Sequence, residues 1–383
     1  MNTALPPRLT ALTLALALCA CAQTPTPTPT APPAPPTATT TTAPTATPAP
    51  TATALPTATP TPTPAPRFEQ MTTGTCCVQP FYAPDSKRIL FLDKPTANAE
   101  TGLYAVPVDQ PLATPTLAYK QLGPFSPDMS MVIGLEGGQT RVERLADGVK
   151  FTIPSGGRRV TVSPDGRKVA WAVSEDFGNF DVRRSDLWIA DINGANARLV
   201  ATLYGGGLQA WLPDSARLLV GGKANRADKL SKLSIIAIAD GKRTEILETE
   251  RSRGLTLSPD GRFGILLQAQ AENAAQNGLF LVDLRGGMTT PKALPFFGAF
   301  KWCDATRLVY VPLEPGAPSN ALWQLNVETL ATRQILASVE GGPFRISNGD
   351  WDMAADGRHI AFVSARDRNI WQLTLPAACG LTP

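Results

Sequence analysis

The chain has 383 residues, 43% hydrophobic and 17% charged, with a formal net charge of +3 and a single histidine. So small a charge, spread along the chain, leaves no nucleic-acid footprint. One histidine excludes the histidine-rich metal sites, and no cofactor is expected.

Residues 1–21 carry one positive charge, Arg8, then an apolar stretch from Leu9 to Leu18, then Cys19-Ala20-Cys21. That is the layout of a secretory signal peptide, and the apolar run is too short to span a bilayer. Leu18-Cys19-Ala20-Cys21 resembles a bacterial lipobox, which implies a lipid on Cys21 and anchorage at the outer face of a bacterial membrane. Residues 22–66 are 17 Thr, 15 Pro and 11 Ala, with Gln23 and Leu55 besides. A stretch with so little to bury cannot offset the entropy of ordering and reads as a disordered stalk.

Residues 67–383 form the globular part, 317 residues, large enough for a sizeable core. Seven times, about every 45 residues, a short apolar run ends in a tight turn. The clearest copies are Val162-Ser163-Pro164-Asp165-Gly166-Arg167 and Leu257-Ser258-Pro259-Asp260-Gly261-Arg262. Weaker copies hold Pro84-Asp85, Pro127-Asp128, Pro213-Asp214, Cys303-Asp304 and Asp356-Gly357. Several strands per unit at this period predict an all-β, seven-bladed β-propeller of four-stranded antiparallel blades.

Repeat three shows the unit. Arg159-Val160-Thr161-Val162 is the inner strand, and Pro164 and Gly166 set the turn. Lys168–Val173 returns, Leu187–Asp191 is third, and Arg198–Ala201 is outermost. An aliphatic–aromatic pair recurs on the third strand: Leu103-Tyr104, Leu187-Trp188, Leu279-Phe280, Leu322-Trp323 and Ile370-Trp371. Recurrence at one position assigns it to packing between blades, and Trp211 and Trp302 read as core as well.

The Ser-Pro-Asp-Gly-Arg turn followed by an apolar strand and an aliphatic–aromatic strand resembles the WD40-like repeat of TolB-type propellers. TolB-family proteins carry an α/β domain before the propeller, where this chain has the Thr/Pro stalk. The seventh repeat ends after its third strand, and Phe68–Met71 lacks a blade of its own. Those residues are expected to supply the missing fourth strand and close the ring.

Chemistry is sparse. His359 stands alone at a strand start, so it is expected to be structural. Propeller lyases acting on acidic sugars use histidine clusters, which are absent. There is no Gly-x-Ser-x-Gly elbow and no sialidase-type Ser-x-Asp-x-Gly-x-Thr-Trp turn, and Gly221-Gly222-Lys223 lacks the upstream glycine of a phosphate loop. What remains is a set of long charged loops expected to emerge on one face: Ser174–Ser185, Lys223–Lys229 and Ser364–Arg368. Asp181, Arg183, Arg184, Arg226 and Arg366 are the candidate partner contacts, with Phe177 or Phe180 as an apolar anchor. In an exported protein Cys76, Cys77, Cys303 and Cys379 can oxidise, and strand direction favours Cys303–Cys379.

The expected function is a monomeric, lipid-anchored propeller that binds a protein or glycan without catalysis. A carboxylate-based glycan-processing enzyme and an accessory subunit of an envelope complex are the alternatives.

Overall fold

A computed structural model describes residues 65–74, 77–249, 252–269, 273 and 277–380. The signal peptide, nearly all of the stalk, Cys21 and Cys76 lie outside the described residues. No helix among the described residues is long and apolar enough to cross a membrane.

The repeated turns explain the architecture. Ser163 Oγ donates to Asp165 Oδ1 at 2.6 Å and accepts from the Lys168 amide at 2.9 Å, while Asp165 Oδ1 accepts from the Arg167 amide at 3.1 Å. Ser126 with Asp128 and Ser258 with Asp260 repeat the pattern, each hydroxyl donating at 2.6 Å. One hydroxyl and one carboxylate thus satisfy the turn's own backbone donors. In three turns that lack the serine, the side chain three residues past the Asp meets its carboxylate instead: Arg217 on Asp214, Arg307 on Asp304 and His359 on Asp356.

The 26 strands of the described residues pair antiparallel. In chain order, β1 is Arg67–Gln70, and β2–β5 are Val78–Tyr82, Arg88–Asp93, Gly102–Pro107 and Thr116–Tyr119. Next, β6–β8 are Met131–Glu136, Gln139–Arg144 and Lys150–Ile153. Then β9–β15 are Thr161–Val162, Lys168–Ser174, Arg184–Asp191, Arg198–Trp211, Arg217–Lys223, Ser231–Ala237 and Arg243–Thr249. β16–β19 are Ser252–Leu257, Phe263–Gln268, Gly278–Asp283 and Lys292–Ala293, and β20–β23 are Gly298–Trp302, Arg307–Pro312, Leu322–Asn326 and Thr332–Leu336. Last, β24–β26 are Ile346–Met353, His359–Ser364 and Ile370–Thr374.

The expectation of seven four-stranded blades is not met. The described strands form six sheets: four of four strands, one of seven and one of three, so five reach four strands or more. Two local causes are visible. β12 does not end where an outer strand should. It runs 14 residues, and Tyr204 pairs with Arg184 of β11 and with Lys223 of β13, fusing two repeats into one sheet. In the second repeat the inner strand is reduced to one bridge, Phe125 to Val132, because Pro124 offers no amide to a ladder.

Buried apolar clusters fill the spaces between sheets. One joins Ile89, Phe91 and Tyr104 to Ala361, Val363 and Ile370, and another joins Val309 and Leu322 to Trp351, Phe362 and Leu373. In the recurring third-strand pairs the aliphatic member is buried and the aromatic packs across the ladder. Trp188 stacks on Trp171 at 6.3 Å and Trp323 on Tyr310 at 6.4 Å. Trp211 is buried too, its Nε1 donating to the Thr161 carbonyl at 3.2 Å.

The two ends of the folded part meet in one sheet, ordered β1-β26-β25-β24, in which Arg67 to Gln70 lie opposite Thr374 to Trp371. Beyond β26 the chain crosses to the neighbouring sheet. There Cys379 forms a disulfide with Cys303, its amide donates to the Gly357 carbonyl at 2.7 Å, and its carbonyl accepts from Gln324 Nε2 at 2.7 Å. Cys77 is also disulfide-bonded.

Candidate functional site

The β10–β11 connection is the richest loop. Its middle is a short 3-10 turn, Phe180–Val182, capped by Asn179, whose side chain accepts from the Asp181 amide at 3.0 Å. The loop is pinned at its base. Glu175 Oε2 accepts from the Arg184 amide at 3.1 Å, and Glu175 Oε1 lies 3.6 Å from the Arg226 guanidinium, which also stands over the Tyr204 ring at 5.4 Å. Arg184 grips Asp186 through two nitrogens at 3.0 Å, and Thr202 Oγ1 donates to the same carboxylate at 2.6 Å. Arg183 Nη2 donates to the Gly178 carbonyl at 2.9 Å.

β12 makes this anchorage possible. Gly205 has φ +63°, and a Cβ there would lie 2.6 Å from the Asp181 carbonyl oxygen. A Cβ on Gly206 would lie 2.0 Å from the Gly221 carbonyl oxygen. Only glycines let the strand pass between the loop and β13.

Six of the candidates are therefore gathered at this loop, though not in equal roles. Arg184 and Arg226 are committed to carboxylates, and Arg183 to a carbonyl. Asp181 presents a carboxylate with no partner among the described residues. Phe177 and Phe180 are 88% and 62% exposed at the tip, an unusual placement for aromatic side chains. Arg366 stands apart, in the β25–β26 connection, with its guanidinium donating to the Gly341 and Gly342 carbonyls.

A cleft of about 620 Å³ opens beside this loop, lined by Gly156, Gly157, Arg158, Arg159, Thr161, Ala170–Ala172, Leu208 and Gln209. Asp176 of the loop lies 3.7 Å from Arg158 of the cleft, so the two features are joined. Arg159 is exposed and has no partner among the described residues. These cleft residues escape a search for chemical motifs. The one available signal is Gly156-Gly157 followed directly by two arginines, the second of which opens the expected inner strand.

Among the described residues no group of three or more His, Cys, Asp or Glu is placed to hold a metal ion. His359 is occupied in its turn, with Nδ1 2.6 Å from Asp356 Oδ2.

No family model matches the chain. No curated protein matches it in sequence. Solved structures do resemble it. An oligogalacturonate lyase in complex with manganese is similar over 82% of this chain and 97% of its own, at 13% identity and a TM-score of 0.53. An acylaminoacyl peptidase bound to a chloromethyl ketone is similar over 79% of this chain and 53% of its own, at 12% identity and a TM-score of 0.51. TolB from Acinetobacter baumannii is similar over 67% and 65% of the two chains, at 15% identity and a TM-score of 0.40. The fold is that of a β-propeller, shared with the first two of these structures. At such identities the likeness extends to fold alone.

Proposed function

We propose that the protein is an exported, lipid-anchored binding module that docks a partner on the end carrying the β10–β11 loop. The observation that carries this reading is a pair of exposed aromatics, Phe177 and Phe180, held out on a loop whose base is fixed by ion pairs. Large rigid apolar side chains ringed by charge are what interface anchors look like. The neighbouring cleft adds one unpartnered cation, Arg159, and the loop one unpartnered anion, Asp181, so the surface offers charge of both signs. Glu175 and Asp176 each face an arginine and hold the loop in place.

Export and anchorage belong to the same proposal, with Cys21 as the lipid-bearing residue and residues 22–66 as a spacer between membrane and module. Affinity capture from intact cells with the full chain as bait, against Phe177→Ala/Phe180→Ala, tests the docking end. Loss of the captured partner with an unchanged melting temperature is expected, and equal capture by both chains refutes it. Detergent-phase partitioning of Cys21→Ala tests the anchor, since the variant should move to the aqueous phase.

A further inference from the structure

We propose that the cleft takes an extended, acidic segment of a partner protein, which adds to the free edge of β10 as a further strand. The inference rests on the docking end just described and names the chemistry that would be recognised there.

β10 is seven residues long, and all seven pair with β11. On its other side β9 offers two residues, which pair with Val169 and Ala170 alone. Beyond Ala170 that edge has no partner strand among the described residues. Backbone groups alternate sides along an antiparallel strand. The Lys168 carbonyl accepts from Ser163 on the β9 side at 2.9 Å, and the Glu175 amide donates to Arg184 on the β11 side at 3.0 Å. Even-numbered residues therefore turn toward the β9 side. Ala172 and Ser174 direct their amides and carbonyls to the edge that β9 has left.

The gap is built in. Thr140 Oγ1 and Ser155 Oγ both donate to the Arg158 carbonyl, at 2.7 and 2.9 Å, and draw residues 156–159 away from β10. Trp211 Nε1 donates to the Thr161 carbonyl at 3.2 Å, where β9 begins. Folded proteins normally cover or charge an open edge. Here Trp171–Ser174, about 13 Å of strand, borders a cleft walled by Arg158 and Arg159. No acidic side chain lines that cleft, and Asp176 is the carboxylate that an incoming acid would displace from Arg158. An edge of alternating donors and acceptors is matched by a peptide backbone, whose groups repeat at the same spacing. A sugar chain has no such period, which favours peptide over glycan.

The test uses the full chain and a fluorescein-labelled eight-residue peptide of alternating glutamate and valine, read by anisotropy. Two further versions are N-methylated, one on the odd and one on the even residues. Binding of the parent peptide is expected, with one methylated version losing it and the other keeping it. Arg159→Glu should weaken binding roughly tenfold or more, and added salt should weaken it further. Ala172→Pro, which removes an edge donor but no bond to β11, should abolish binding while Arg159→Glu keeps the wild-type melting curve. No binding by the parent peptide, equal binding by all three peptides, or displacement of the peptide by a galacturonate oligomer at lower concentration overturns the inference. If the peptide fails while Phe177→Ala/Phe180→Ala still loses the captured partner, the docking end stands and strand addition falls.

Discussion

At the scale of single residues, the turn aspartates carry much of the organisation. Burial pushes the carboxyls of Asp128, Asp165, Asp214, Asp304 and Asp356 upward, yet hydrogen bonds from serine, backbone amides and neighbouring cations outweigh it and hold all five below the ordinary value. A folded value below the unfolded one means stability that is fully present above the unfolded pKa. It is lost as pH falls through the folded values, so the urea midpoint should stay flat down to about pH 4 and drop below it. A decline beginning near pH 6 would point to other groups. The same turns hide a second device. In two of the turns that lack glycine a serine, Ser86 or Ser215, takes the left-handed position, at φ +55° and +56°. Their hydroxyls accept from the neighbouring turns, Ser215 from the Asp165 amide at 3.0 Å and Ser86 from the Ala355 amide at 3.2 Å. Ser215→Ala keeps the strain and loses the bond, so it should cost about 1 kcal/mol in chemical denaturation. Ser215→Gly trades the bond for relief of strain and should fall closer to wild type.

At the scale of elements, strands announce themselves unevenly. The Ser-Pro-Asp turns and the aliphatic–aromatic third strands are legible because each residue type has one physical task, and the structure uses Leu187, Leu279 and Leu322 as buried packing. The fused sheet was not legible. The expected outermost strand stops at Ala201, short of Tyr204-Gly205-Gly206-Gly207, and glycine weakens strands. In the fold the same glycines let β12 run on against β13 and under the loop. Gly206→Ala tests this, because its Cβ would meet the Gly221 carbonyl oxygen at 2.0 Å. A loss of several kcal/mol is expected, with slowed or incomplete folding of the seven-stranded sheet; an unchanged melting temperature would show that β12 can shift. The loop residues were only partly readable. Phe177 and Phe180 stood out as aromatics in a polar run, whereas Arg366 looked identical to Arg183 in sequence and differs only in the carbonyls it meets.

At the scale of the whole molecule, the expected ring closure and the observed one differ in what surrounds them. β1 does complete the last sheet, but the sheets it joins are six, because counting turns counts hairpins and cannot register a strand that serves two repeats. The closing sheet is also stapled, by the Cys303–Cys379 disulfide across 76 residues of chain. A loop of that length confers on the order of 4 kcal/mol in the chain-entropy account. Cys303→Ala/Cys379→Ala should lower the denaturation midpoint accordingly, and reductant should have no further effect on the variant beyond its effect at Cys77.

The placement of β1 also decides how the molecule answers to tension. Every residue before Arg67 connects to the folded part through this one strand, held by four residue pairs to β26. The disulfide lies on the other side of β26, so it cannot share a load arriving from the N-terminal side. Arg67 lies opposite Thr374, at the end of β26 away from the β25–β26 connection, so a pull directed away from that connection runs along β1 and loads all four pairs together, in shear. The margin of the propeller would therefore give way in one step, when the four pairs fail together, and below that load a partner would be held by an undeformed module.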